Sequence, residues 1–316
     1  MEIKRFNPDV DLATLEAYLR NEYLLHGEVH SWLPQRLHDI IYRMAAQEES
    51  CGSKRSADYI FLWKEDGKIV ACILPDGENI YISIRDGYEQ LLSAVVVYSE
   101  EQCLPLFHRA DDGAVKFWVA INDRSLYMRE YLARAGYTEY PEKEYCSCAC
   151  PMDTNPAVVL ADGFRLLYGD AYADEEKKWS ALRLGFHPDL EAGDHKTDMR
   201  PYHARKSSSM YPDSFECLVV EVGAHEKNEV CSYCFVYVDR ASKTALIEPV
   251  STRQAYRRKG FGTALMQGAL LRCRQMGIEK CYVNSFGSRK DFYARAGFPV
   301  ESSVSFWHKV IRQKDR

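Results

Sequence analysis

Ala245-Leu-Ile-Glu-Pro-Val-Ser-Thr-Arg-Gln-Ala-Tyr-Arg-Arg-Lys-Gly-Phe-Gly-Thr-Ala-Leu-Met266 changes character twice along its length. Up to about Thr252 it reads as a strand. From Gly262 the apolar residues Leu265, Met266, Ala269, Leu270 and Cys273 fall at helical spacing. The loop between them carries Arg257, Arg258 and Lys259 ahead of Gly260-Phe261-Gly262-Thr263. The first amides of a helix lack internal acceptors and the macrodipole adds about half a positive charge there, so a diphosphate is a natural ligand. Glycine removes the bulk that would hold phosphate oxygens off the amides. The alternative is a solvated basic turn with a glycine cap.

Other phosphate motifs fail on spacing. A P-loop needs G-x-x-x-x-G-K-[ST], which the chain lacks, and a dinucleotide fingerprint would require Gly or Ala where Leu265 stands.

With those excluded, the segment resembles the GNAT superfamily of acetyltransferases. Arg257, Gly260 and Gly262 match its [RQ]-x-x-G-x-[GA] motif, and Phe292-Tyr293-Ala294-Arg295-Ala296-Gly297-Phe298 is similar to its F-Y-x-x-x-G-F. The resemblance is specific over about Leu218 to Phe298. One departure is Thr252-Arg253-Gln254, where many members have V-x-P. The resemblance implies an α/β fold (an α+β mixed sheet) of two tandem GNAT-like domains, each a mostly antiparallel sheet flanked by helices. It implies acetyl-CoA as co-substrate, no metal, and transfer of the acetyl group to a primary amine by direct attack on the thioester. A non-catalytic acyl-CoA-binding or regulatory protein is the alternative.

The resemblance also distributes roles. Backbone amides around Val250, Ser251 and Thr252 would orient the acetyl carbonyl; Arg257, Arg258, Lys259, Gly260, Phe261, Gly262 and Thr263 would hold the pyrophosphate; Asn284 would meet the pantetheine arm. Tyr293 occupies the position of the acid that serves the departing thiolate. An amine of pKa about 10.4 must shed a proton before attack, which calls for a carboxylate. Glu248 is the first choice and Glu221 the second, although either carboxylate could instead face solvent or an ion pair.

Outward from this segment the order of elements recurs. Strand-like Phe164, the helix Ala173 to Leu184, the strands Glu216 to Val222, Val230 to Val238 and Thr244 to Pro249, the helix at Gly262, the strand Lys280 to Asn284, the helix Lys290 to Ala296 and a strand pair around Val300 to Val310 form one set. The earlier set runs Ile3 to Phe6, helices Asp11 to His26 and Trp32 to Gln47, strands Tyr59 to Trp63, Lys68 to Leu74 and Asn79 to Ile84, the helix Tyr88 to Val97, the strand Val115 to Ile121 and the helix Ser125 to Ala135. Asp11 reads as the cap of the first helix. Tyr131-Leu-Ala-Arg-Ala-Gly-Tyr137 aligns with Phe292 to Phe298, each closing a helix at glycine. The division is therefore 1–150, a linker 151–163 and a catalytic unit 164–316. After its third strand the first half reads Ile84-Arg-Asp-Gly-Tyr-Glu, without R-x-x-G-x-G, and Leu132 falls opposite Tyr293. It is expected to be degenerate, supporting the active unit or shaping its acceptor side. On the acceptor wall, Trp179, Tyr202, His203 and Tyr211 offer aromatic faces to a cationic amine, the alternative being that they simply pack.

Composition narrows the rest. A net charge of −5 argues against a nucleic-acid partner. No apolar run suggests a membrane span or an export signal, so a cytoplasmic protein with reduced thiols is expected. The 11 cysteines include the alternating Cys146, Cys148 and Cys150 and the pair Cys231 and Cys234, read as buried small residues rather than metal ligands. Asp194, His195, Asp198 and His203 are likewise read as solvated. The acceptor is a small-molecule or protein amine; its identity and the oligomeric state are not encoded in any motif.

Overall fold

A computed structural model describes residues 1–27, 29, 32–153, 156–192, 197–223 and 228–312. By contact the chain forms two units, Met1–Cys146 with Glu301–Arg316, and Ser147–Val300. The first contains β1 (Glu2–Arg5), α1 (Pro8–His26), α2 (Pro34–His38), a π-helical segment Asp39–Met44, α3 (Ala45–Ser50), β2 (Phe61–Glu65), β3 (Lys68–Asp76) and β4 (Asn79–Ile84). It continues with α4 (Leu92–Gln102), β5 (Ala114–Asn122), α5 (Leu126–Arg134) and β6 (Thr138–Ala149), along which the chain enters the second unit. There it forms β7 (Phe164–Tyr168), α6 (Glu175–Phe186), α7 (Arg200–Ala204), β8 (Phe215–Glu221), β9 (Glu229–Asp239), β10 (Thr244–Thr252), α8 (Phe261–Gln275), β11 (Lys280–Phe286) and α9 (Arg289–Arg295). β12 (Val300–Arg312) returns to the first unit.

Each unit uses one plan. In the first, strands run β1-β2-β3-β4-β5-β12, antiparallel except for the parallel β4–β5 pair. In the second they run β7-β8-β9-β10-β11, antiparallel except for β10–β11. The period of two sorts β5: Val115, Phe117, Val119 and Ile121 face the core that holds Val95, Val96, Met128 and Leu132. Ala120 joins Leu15, Leu19 and Leu37 on the other face.

The first helix begins a turn earlier than its sequence suggests. Asn7, not Asp11, is the cap, its side chain accepting from the Asp9 amide at 3.0 Å, with proline at the start. Asp11 is buried, accepts from the Asn7 amide and pairs with Lys4 and Lys64. Gly136 and Gly297 both adopt positive φ, +85° and +96°. The amide of Tyr137 bonds to the Leu132 carbonyl, and that of Phe298 to the Tyr293 carbonyl, each at 2.9 Å. The aligned heptapeptides therefore share a C-terminal capping bond as well as a residue pattern.

The strand pair expected around Val300 to Val310 is instead one strand. β12 pairs antiparallel with β5 from Val304 opposite Asn122 to Arg312 opposite Ala114, so this strand serves the first unit rather than the second. Phe306 enters the core with Leu15 and Trp307 the core with Phe117. Phe306→Ala is expected to cost about 3–5 kcal/mol. Denaturant titration would measure that loss, and hydrogen exchange should show it on β5 and α1 while amides of β9 and α8 keep their protection.

Candidate functional site

β10 controls the second unit's geometry. It pairs with β11 only over Thr244, Ala245 and Leu246, and a register shift against β9 falls between Ile247 and Val250. Beyond Leu246 the strand has no neighbour on its β11 side among the described pairings, and the two parallel strands open. The strand's last residues, the loop after them, the start of α8 and the face of α9 line a cleft of about 680 Å³.

The wall at α8 follows from glycine chemistry. Gly260 is the N-cap at φ +82°, a left-handed conformation that an L-residue adopts only at a cost. It supplies no capping oxygen, and the first intrahelical bond runs from the Ala264 amide to the Gly260 carbonyl at 3.0 Å. The amides of Phe261, Gly262 and Thr263 thus precede the helical ladder with no side-chain cap. Gly262 makes room for a neighbour: a Cβ there would stand 2.9 Å from the Phe292 ring. Arg258 also holds a positive φ, +64°, so strain concentrates in this loop.

The expected residues do not all meet in the cleft. Val250, Ser251, Thr252, Arg257, Arg258, Gly260, Phe261, Gly262, Thr263 and Tyr293 line it. Lys259 lies beside it with its ammonium over the Tyr256 ring, 5.1 Å from the centroid. Asn284 is half-buried on β11 and Glu248 half-buried on β10, neither on the lining. Sequence reasoning passed over Tyr256, Arg289, Phe292 and Arg295, which do line it. The spacing of Arg289, Phe292, Tyr293 and Ala296 marks one helical face and could have flagged the first two.

Arg257 has a specific local task. Its Nη2 donates to the Gly185 carbonyl at 2.7 Å and its Nε to the Thr252 carbonyl at 3.2 Å, tying the loop to the end of α6 and the end of β10. α6 comes so close there that a Cβ on Gly185 would stand 2.5 Å from that of Ser251. Tyr256 donates to Glu221 at 2.6 Å, and this bond to a carboxylate, then burial, raises its pKa. Glu221, the second candidate base, is therefore engaged with a phenol. Burial also raises the Tyr293 pKa, followed by the nearby charge of Glu248, while Arg289 opposes the rise.

Of the four aromatic residues expected either to embrace a substrate amine or to pack, Trp179 and Tyr202 pack around an internal cation. Trp179 and Tyr202 are almost fully buried, and the Arg205 guanidinium lies 5.4 and 5.5 Å from their ring centroids and 4.4 Å from that of Phe235. Arg205 donates to the Tyr233 hydroxyl at 2.7 Å; that hydroxyl donates to Glu216, which also pairs with Lys178. Tyr211 stacks on Phe235, and His203 is exposed. Asp194 and His195 lie outside the described residues, and the Asp198 carboxylate pairs with Arg200. All 11 cysteines are free thiols; Cys217 and Cys234 face each other across β8 and β9.

Comparison with known proteins agrees with this geometry. Residues 179–298 match the Acetyltransferase (GNAT) family. No curated protein sequence matches the chain. Among solved structures, a GCN5-related N-acetyltransferase from Sphaerobacter thermophilus superposes with a TM-score of 0.61 at 18% identity, over 90% of this chain and 96% of that one. A tandem GNAT protein from the clavulanic acid biosynthesis pathway gives 0.57 at 14% identity, over 81% and 83%. A GNAT-family acetyltransferase from Colwellia psychrerythraea gives 0.52 at 11% identity, over 98% and 100%. At these identities the likeness is one of fold. The open β10–β11 pair and the uncapped start of α8 both fall within residues 179–298, the segment that matches the GNAT acetyltransferase family.

Proposed function

We infer that the second unit transfers the acetyl group of acetyl-CoA to a primary amine. The observation that carries this reading is one cleft lined both by the uncapped start of α8 and by Tyr293. The residues fit the donor: open amides and a left-handed glycine suit a diphosphate, and the unpaired edge of β10 suits the extended arm and the carbonyl. When bound, the thioester supplies an acyl group open to direct attack by an amine.

The chain's own groups divide the proton work. Glu248, beside the β10 bulge and off the cleft's lining, takes through water the proton that the ammonium must lose. The amides near Val250 to Thr252 hold the carbonyl oxygen as negative charge grows on it. Tyr293 is a phenol of ordinary pKa about 10, which burial raises further, so it stays protonated at neutral pH. Since a thiol titrates near about 8.5, full transfer from this phenol is uphill. Tyr293 therefore serves the leaving sulfur by donating a hydrogen bond, and the proton that reaches the thiolate is the one the amine released.

The first unit is read as non-catalytic. Its loop after β4 holds its own anion: the Glu89 carboxylate accepts from the Gly87 amide at 3.0 Å, and backbone hydrogen bonds lower its pKa. Leu132 is fully buried at the place that corresponds to Tyr293.

Titration calorimetry should show acetyl-CoA binding that Gly260→Glu abolishes; absence of binding by the folded wild type would overturn the reading. Tyr293→Phe is expected to lower kcat by about 10²-fold with little change in the KM for acetyl-CoA, followed by free-thiol release with a panel of amines. Arg257→Ala releases the Gly185 carbonyl and lets the loop drift. It should weaken acetyl-CoA binding by roughly tenfold, the order expected for lost charge-assisted bonds.

A further inference from the structure

The charge on the α9 side of the cleft exceeds what a diphosphate asks for. α9 runs alongside α8 in the same direction: Phe292 lies against Gly262, and Gln267 of α8 donates to the Ala296 carbonyl at 2.8 Å. Arg289, three residues before Phe292, is therefore carried forward of the first turn of α8, where its open amides point. Arg295 lies on the opposite side of the Phe292 contact, about 9 Å further along the helix axis at 1.5 Å per residue. Both line the cleft and both are exposed. Among the described residues neither side chain makes an ion pair or a hydrogen bond. Among the described residues Asp291 is the one acid lining the cleft; it sits on the same helix and forms no ion pair with either.

A diphosphate carries two negative charges, and the α8 amides with Arg258 already answer it. Coenzyme A carries a further phosphomonoester on the 3′-oxygen of its ribose, with a charge of about −1.5 to −2 at neutral pH and three acceptor oxygens. Such a group is matched by guanidinium forks. We propose that Arg289 and Arg295 bind the 3′-phosphate, making the site selective for acyl donors that carry this phosphate over their dephospho counterparts. This rests on the reading of the cleft as a coenzyme A site. Phe292 acts as the spacer, holding the two arginines at a fixed offset from the α8 amides through its contact with Gly262.

The test is calorimetric titration of the wild-type chain and of an Arg289→Ala/Arg295→Ala double variant with coenzyme A and with dephospho-coenzyme A. The wild type should prefer coenzyme A by roughly 30-fold, the size of a charge-assisted contact with the monoester. The double variant should lose that preference while binding dephospho-coenzyme A as the wild type does. Raising the salt concentration should shrink the wild-type preference, since both arginines are exposed. Equal wild-type affinity for the two ligands, or a double variant that loses affinity for both alike, would overturn the assignment and place the arginines on the diphosphate. A wild type that binds neither ligand would sink the coenzyme A reading itself. Retained circular dichroism and melting temperature would show that the variant is folded.

Discussion

The separation of β10 from β11 after Leu246 is the constraint from which the second unit's chemistry follows. A parallel pair that stayed zipped would satisfy every amide and leave no edge for a ligand. Once the strands part, the backbone of Val250 to Thr252 must find partners elsewhere, and the bulge against β9 turns this segment without breaking the sheet. Ser232 and Arg257 take the Ser251 and Thr252 carbonyls, and Gly185 lets α6 press against the same segment. Two acceptors of the strand's end are thereby held by side chains, which fixes the segment where its ladder to β11 has ended.

The cationic side chains of the second unit divide by burial. Arg205, enclosed by Trp179, Tyr202 and Phe235, belongs to a buried network with Tyr233, Glu216 and Lys178. Removing one member would strand a charge in the core. Arg257 is tied to carbonyls at the cleft's edge. Arg258, Arg289 and Arg295 keep their forks open toward the cleft. Residue type alone does not separate these roles; the partners within reach do.

The sequence made the loop between β10 and α8 legible because its signal is local. Glycines at 260 and 262, three cations before them and a helical apolar period after them lie within one short segment, and the capping and strand-to-helix geometry follow from those residues. The paired heptapeptides were legible for the same reason, since a left-handed glycine determines its own turn. Longer-range facts were hidden. The carbonyl that engages Arg257 belongs to Gly185, 72 residues away. The alternating pattern of Val300 to Arg312 announces a strand but not the sheet that receives it, because period two encodes faces and not neighbours. α7 is only five residues long, too short for an apolar period to mark it. The enclosure of Arg205 by Trp179, Tyr202 and Phe235 was hidden as well, because the three rings come from three separate elements, α6, α7 and β9.

The return of β12 to the first unit gives the chain an order of completion that its numbering conceals. The second unit, Ser147–Val300, is continuous and can close as soon as Val300 has emerged from the ribosome. The first unit cannot: its sheet lacks the strand beside β5 until β12 has followed the whole second unit. During synthesis β5 therefore waits with an unpaired edge, the kind of surface that recruits other strands in crowded solution. The unit whose strands begin first is closed only by a strand that follows all of the other unit.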